Sequence, residues 1–187
     1  MRLFVAVDPG EAVTQAVARA AERARGRAPA ARWAATDGLH VTLAFLGEVE
    51  DARVPAIEAA VHAIAAKHAP VTLRFEGAGT FGPPRRPHVL WAGITGETAR
   101  LAALQADLAA ALVPLGYAPE DRPFHPHLTL ARGRTPQGDV AIADAAAALA
   151  GEAFGEATCG VLVIYRSDHG PHGPRFTPVS RAPLGAT

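Results

Sequence analysis

The chain has 187 residues, 49% of them hydrophobic, with 18 basic and 18 acidic side chains and no net charge at neutral pH. That length and composition suit one well-cored domain and exclude a disordered polymer. The balanced charge excludes a protein that coats long stretches of nucleic acid. Cys159 is the only cysteine, so no internal disulfide can form, and Lys67 is the only lysine. No apolar run approaches the roughly 20 residues needed to span a bilayer. Asp8-Pro9-Gly10 interrupts the N-terminal apolar stretch, so a soluble cytoplasmic protein without a membrane partner is expected.

Leu3 to Val7 reads as a buried strand. A helix is predicted from Asp8, with Asp8 as cap, Pro9 in the first helical position and Glu11 as capping-box carboxylate, running to about Gly26. Leu39 to Leu46 has the β-branched and aromatic content of a strand. Val54, Ile57, Val61 and Ile64 recur at helical spacing. Val71 to Phe75 alternates as a strand that extends toward Phe81. A Pro- and Arg-rich loop, Gly82 to Pro87, precedes a strand over His88 to Ile94. Leu101, Leu104, Leu108 and Leu112 mark a third helix that ends near Pro114 to Gly116. After a turn-rich loop, Ala118 to Pro126, come a strand from His127, an alanine-rich helix over Val140 to Ala150, and strands over Val161 to Tyr165 and Phe176 to Pro183. Gly170 to Pro174 is a predicted turn. Helices interleave with strands that also neighbour one another, which points to α+β with mainly antiparallel sheet.

The pattern His-x-Thr-Leu occurs twice, at His40-Val41-Thr42-Leu43 and His127-Leu128-Thr129-Leu130, 87 residues apart. Side chains alternate along a strand, so each His and Thr share one face while the apolar residues anchor the other. An internal duplication follows: two pseudo-symmetric lobes lining a central groove, with helices outside, in one bilobal domain over residues 1–187. Two imidazoles and two hydroxyls then converge. Imidazole exchanges protons near neutral pH, and hydroxyls can hold phosphate oxygens. The set suffices for in-line hydrolysis of a phosphodiester without a metal, and a strained cyclic phosphate suits it. In a regular strand Phe45 points away from His40, so core packing is its expected role and a nucleobase platform the alternative. Arg132 likewise points away from His127 and reaches the groove only if the strand bends or ends. Trp33, Phe81 and Tyr165 are further aromatic candidates for a base.

These motifs, with Arg2 to Asp8, Val89-Leu90-Trp91-Ala92-Gly93 and Pro123-Phe124-His125-Pro126-His127, resemble the two-histidine phosphoesterases, and within them the RNA 2′,3′-cyclic phosphodiesterases also called 2′–5′ RNA ligases. Gly173 to Pro178 fits too, although Phe176 stands where the family carries an aromatic hydroxyl. The resemblance implies a two-lobed fold around a V-shaped groove and metal-free hydrolysis of an RNA terminal 2′,3′-cyclic phosphate, or of a small cyclic nucleotide, to a 2′-phosphomonoester. It implies His127 as proton acceptor, His40 as proton donor, Thr42 and Thr129 as phosphate ligands, and an anion-binding role for Arg132. Reversible 2′–5′ ligation uses the same pair. No cofactor is required, and a monomer is expected.

Two other readings remain open in the sequence. His125 and His127 with His40 could form a three-histidine zinc site, making a metal-dependent hydrolase. The same groove could also bind nucleotides or RNA ends without turnover. Of the remaining histidines, His169 and His172 fall in the predicted turn, and His62, His68 and His88 have no motif context.

Overall fold

The computed structural model describes residues 1–170 and 173–185. Pro171 and His172, in the middle of the predicted turn, lie outside the described residues. The elements in chain order are β1 (Arg2–Val7), α1 (Glu11–Arg25), β2 (Arg32–Trp33), β3 (Val41–Glu48), α2 (Val54–Ala65), β4 (Val71–Phe81), β5 (Val89–Gly96), α3 (Thr98–Leu112), β6 (His127–Arg132), α4 (Val140–Leu149), β7 (Ala153–Cys159), β8 (Val161–Gly170) and β9 (Gly173–Pro183), with short 3₁₀ turns between some of them.

The strands form two antiparallel sheets, β3-β1-β8-β9 and β2-β6-β5-β4-β7. Helices α2 and α3 pack together, α2 against β8 and β9 and α3 mainly against β3; α1 packs on β7 and α4, and α4 on β4 and β5. Strands β3 and β6, one from each sheet, pack beside one another. The chain therefore crosses between lobes repeatedly. The first sheet draws on both chain ends and the second on the middle, so the lobes are not the two halves of the sequence. The α+β class with two antiparallel sheets holds, but the lobes are interlaced along the chain rather than sequential. Strand β2, two residues long at the edge beside β6, has no counterpart in the first sheet among the described residues.

Local departures from the sequence reading have local causes. Helix α1 starts at Glu11 rather than near Asp8, because the Asp8 carboxylate accepts a hydrogen bond from the Gly10 amide at 2.8 Å and closes a turn instead of capping. Gly10, at φ 81°, supplies the reversal into the helix. Strand β7 is not evident in the sequence because Gly155 and Glu156 interrupt its apolar pattern. The final hairpin is longer than predicted: Gly170 pairs with Gly173, so the flanks of the predicted turn are strand.

Between sheets and helices lies one continuous core. Leu101, Leu104 and Leu108 of α3 are fully buried beside Ile57 and Val61 of α2, so the most apolar face of α3 is spent on packing. Leu43 and Leu130, the residues that close the two repeated motifs, are both in this core. Burying one such leucine contributes about 1.5–3 kcal/mol, and it fixes which face of each motif strand is left to the groove.

Candidate active site

His40 sits immediately before β3 and His127 opens β6. Each ring is tied in the same way. His40 Nδ1 lies 2.7 Å from the Gly38 carbonyl oxygen and His127 Nδ1 lies 2.8 Å from the His125 carbonyl oxygen, in both cases the residue two places upstream. A carbonyl only accepts, so Nδ1 carries the hydrogen in both rings and Nε2 is left for chemistry. A neutral ring then offers a lone pair at Nε2, and a protonated ring offers a proton there. The carbonyl contact is kept in either state.

Thr42 and Thr129 are half-buried on the faces opposite the buried leucines, as alternation requires. One residue later in each motif the alternation breaks. In β3, Ala6 faces Thr42 but Val5 faces Ala44, so Leu43 is an extra residue. In β6, Trp91 faces Thr129 but Leu90 faces Ala131, so Leu130 is an extra residue. These are β-bulges, which reverse the inside–outside pattern downstream. Leu43 with Ala44, and Leu130 with Ala131, are consecutive residues packed toward the core. The next side chain in each strand returns to the groove face: Phe45 in β3 and Arg132 in β6.

The expectation for Phe45 is thereby corrected. It is 47% exposed rather than packed in the core. Its cross-strand partner is Phe4, whose ring lies 6.5 Å from that of Phe45 and 4.6 Å from that of His40. The condition set for Arg132 is met by the bulge. Its guanidinium acts electrostatically on both His40 and His127.

Both imidazoles are harder to protonate than an ordinary histidine. For His40 burial is the main cause, opposed by the Gly38 carbonyl; the charges of His127 and Arg132 add to the lowering and Asp8 counters it. For His127 burial again leads, opposed by the His125 carbonyl; the charges of His125 and Arg132 lower it further and Glu120 counters it. An anion seated between the rings would offset the depression. The protein alone thus favours neutral rings, and a phosphate favours placing one proton on the pair.

The walls differ. Phe4, Tyr165 and Phe176 surround His40, with Tyr165 6.1 Å and Phe176 5.0 Å from its ring. Phe176, where an aromatic hydroxyl was the family expectation, presents an edge-on apolar wall. Phe81 meets His127 edge-on at 4.8 Å, and Trp91 lies 4.9 Å from His125. Of the aromatic candidates, Phe81 and Tyr165 therefore border the site. Trp33 does not: it packs against the core, and its indole nitrogen donates to the Ala28 carbonyl at 2.9 Å. Sequence reasoning misses Phe4 and Trp91 as groove residues; their positions follow from pairing across strands.

The rings of His125 and His127 are 6.3 Å apart, with His127 Nδ1 turned to a carbonyl. Among the described residues no group of three or more His, Cys, Asp or Glu side chains is arranged to hold a metal ion. His62 contacts Ser180, and His68 contacts Asp107, each at the surface.

Several likenesses accompany this geometry. The chain is 38% identical over 129 residues to an RNA 2′,3′-cyclic phosphodiesterase of Geobacillus stearothermophilus, covering 69% of this chain but only 41% of that protein. It is 32% identical over 176 residues to the protein of the same description from Archaeoglobus fulgidus, covering 94% of this chain and 96% of that one. The fold matches the solved structure of TT0787 of Thermus thermophilus with a TM-score of 0.83 at 30% identity, covering 100% of both chains. Residues 9–171 match the family model of the 2′-5′ RNA ligase superfamily, and the chain belongs to that family of two-histidine phosphoesterases.

Proposed function

We propose that the chain hydrolyses a terminal ribonucleoside 2′,3′-cyclic phosphate to a 2′-phosphomonoester, with His127 as base and His40 as acid. The observation that carries this reading is the matched tie of both rings, Nδ1 to a carbonyl two residues upstream, which presents two equivalent Nε2 atoms. The descriptions of the relatives point to the same substrate class.

Water attacks phosphorus opposite the bond to the 3′ oxygen, and neutral His127 takes its proton at Nε2. The P–O3′ bond breaks as protonated His40 delivers its Nε2 proton to the departing oxygen. Turnover leaves His127 protonated and His40 neutral, and exchange with solvent resets the pair. Each proton transfer contributes roughly 10²–10⁴-fold. Thr42 and Thr129 hold non-bridging oxygens, and Arg132 balances the charge that develops on them. The difference in walls supports the assignment of roles. Three aromatic rings shield His40 from water that would compete for its proton, whereas His127 stands in the more open wall, where water can reach it. Substituting a 5′-hydroxyl for water in the same displacement gives a 2′–5′ linkage, so ligation needs no further group. All of these residues come from one chain, so the monomer suffices as the acting unit.

The deciding experiment is incubation with an oligoribonucleotide ending in a 2′,3′-cyclic phosphate, with chelator in excess. Clean conversion to the 2′-phosphate is expected. A 3′-phosphate product, or dependence on added metal, would overturn the mechanism.

A further inference from the structure

We infer that Arg32, beside Arg132, forms a second phosphate site that receives the phosphodiester on the 5′ side of the terminal nucleotide, so that the groove is built for RNA ends rather than free cyclic mononucleotides. The inference rests on the function proposed above and adds a residue outside both repeated motifs.

Strand β2 pairs with β6 so that Arg32 faces Arg132 and Trp33 faces Ala131. Direct partners in an antiparallel pair share a face, with Cβ atoms about 5 Å apart. Trp33 and Ala131 pack toward the core, so Arg32 and Arg132 both stand on the face of His127 and Thr129. Like charges set directly across a ladder destabilise it. No carboxylate pairs with either of them among the described residues: the side-chain ion pairs made by arginines use Arg23, Arg25, Arg74, Arg100 and Arg166. The surroundings add positive charge. The Gly133 amide bonds the His88 carbonyl and the Asp139 amide bonds the Pro87 carbonyl, which brings exposed Arg134 and Arg86 to the same end of the sheet. One carboxylate at this end, Asp139, is engaged in capping α4 through the Ala141 amide. A chain with no net charge thus gathers, at one end of its groove, guanidinium groups that make no ion pair among the described residues, where a second anion would relieve their repulsion. Guanidinium is the side chain best shaped for phosphate.

The order along β6 gives the polarity of the ligand. His127 and Thr129 come first and hold the reacting phosphate. Arg132 follows past the bulge, and Arg32 lies alongside it. An RNA end that places its cyclic phosphate at His127 keeps Arg132 for that phosphate and sends its next phosphate toward Arg32. A mononucleotide has no phosphate to put there. Because β2 has no counterpart in the other sheet among the described residues, the site lies on the β6 side of the groove.

The test compares 2′,3′-cyclic AMP with a diadenylate ending in a 2′,3′-cyclic phosphate, using the parent protein, Arg32→Gln and Arg32→Lys. For the dinucleotide, Arg32→Gln should lower kcat/KM about 5–10-fold, the effect of one exposed charge-assisted contact, and Arg32→Lys should recover most of it. The salt dependence of log kcat/KM should lose about 0.7 in slope, one phosphate contact on a single strand. The mononucleotide should change less than about twofold, the scatter expected of a contact it does not make. Equal losses on both substrates, or no loss on either, would overturn the second site. Binding of a labelled oligoribonucleotide with a 3′-phosphate end is measured in parallel: unchanged affinity in Arg32→Gln overturns the site even if no cyclic phosphate is turned over, whereas weakened binding without turnover would leave the site standing and sink the catalytic reading instead.

Discussion

The two lobes present their histidines with the same backbone device and surround them with different chemistry. In both, a buried leucine follows the threonine as the extra residue of a bulge, and the next outward side chain points to the groove. In the β3 lobe that side chain is Phe45, and the ring beneath His40 is Phe4. In the β6 lobe it is Arg132, with Phe81 and His125 near His127. In the proposed mechanism the shared backbone suits a task common to both histidines, moving a proton at one phosphorus. The divergent walls suit tasks they do not share: the β3 lobe offers aromatic rings, with the Arg2 guanidinium 5.0 Å from the Phe45 ring, and the β6 lobe sets the Arg132 charge where it acts on both histidines. On that proposal, symmetry in the main chain positions the acid and the base, and asymmetry in the side chains decides which way round the substrate lies.

Removing either ring tests the shared part and should have the largest effect. His40→Ala and His127→Ala should each lower kcat by about 10²–10⁴-fold, and the double variant should fall well short of the product, because both rings serve one displacement. A substrate whose bridging 3′ oxygen is replaced by sulfur separates the roles, since a thiolate leaves without a proton. His40→Ala should regain most of its loss on that substrate and His127→Ala should not. Rescue of the second variant alone would exchange the two roles.

Arg132→Gln probes the charged wall. Loss of a hydrogen bond to a charged phosphate is worth about 1.5–3 kcal/mol, so kcat/KM should fall roughly 10–100-fold. The pH profile gives a second readout. Both histidines titrate below the ordinary value of 6.5, so catalysis, which needs one proton on the pair, should decline as the pH rises through that region. Arg132 lowers both groups; removing its positive charge makes protonation easier, and the alkaline limb should move to higher pH. An unmoved limb would show that Arg132 does not face the histidines. Because burial disfavours the charged rings, stability should be fully present above the unfolded-state value near 6.5 and decline as the pH falls below it, which thermal melts at a series of pH values would follow.

Phe45→Ala probes the apolar wall and should do less. Base stacking is worth roughly 1–3 kcal/mol, and with its ring nearly half exposed Phe45 should sit at the lower end, about a fivefold rise in KM with kcat nearly unchanged. If kcat falls with KM unchanged, Phe45 is supporting Phe4 and His40 instead of the base.

The main features of this comparison are legible in the sequence, and its details are not. The repeated motif announces two related strands, and alternation puts each His and Thr on one face. Helices α2 and α3 show in their spaced leucines, isoleucines and valines. The same alternation rule sends Phe45 and Arg132 to the wrong face, because a bulge is set by pairing with a neighbouring strand. Neither Leu43 nor Leu130 differs from an ordinary strand residue, so nothing local marks the break. The interlacing of the lobes is hidden for a similar reason: which sheet a strand joins depends on long-range partners. Arg32 is invisible because β2 is two residues long and carries no periodicity at all.

The smallest effects on turnover should come from the glycines that seat the two walls, and here the lobes should differ in stability. A Cβ at Gly79 would lie 2.3 Å from the indole of Trp91, its cross-strand partner, and a Cβ at Gly38 would lie 3.3 Å from the ring of Phe176. Neither glycine has a positive φ, so the difference is one of space alone. The indole lies across the β4 backbone with Phe81 5.4 Å away and His125 4.9 Å away, and it can yield only by pushing those rings. Overpacking of this kind costs about 1–3 kcal/mol, so Gly79→Ala should lower Tm by roughly 2–4 °C for each kcal/mol lost. Phe176 is half-buried on the final hairpin and needs to give only a few tenths of an ångström, so Gly38→Ala should stay within about 0.5 kcal/mol of the parent. Calorimetry of the two variants would settle the contrast. Equal melting temperatures would mean that the wall around His127 is as yielding as the one around His40, and the two lobes would then differ in charge but not in rigidity.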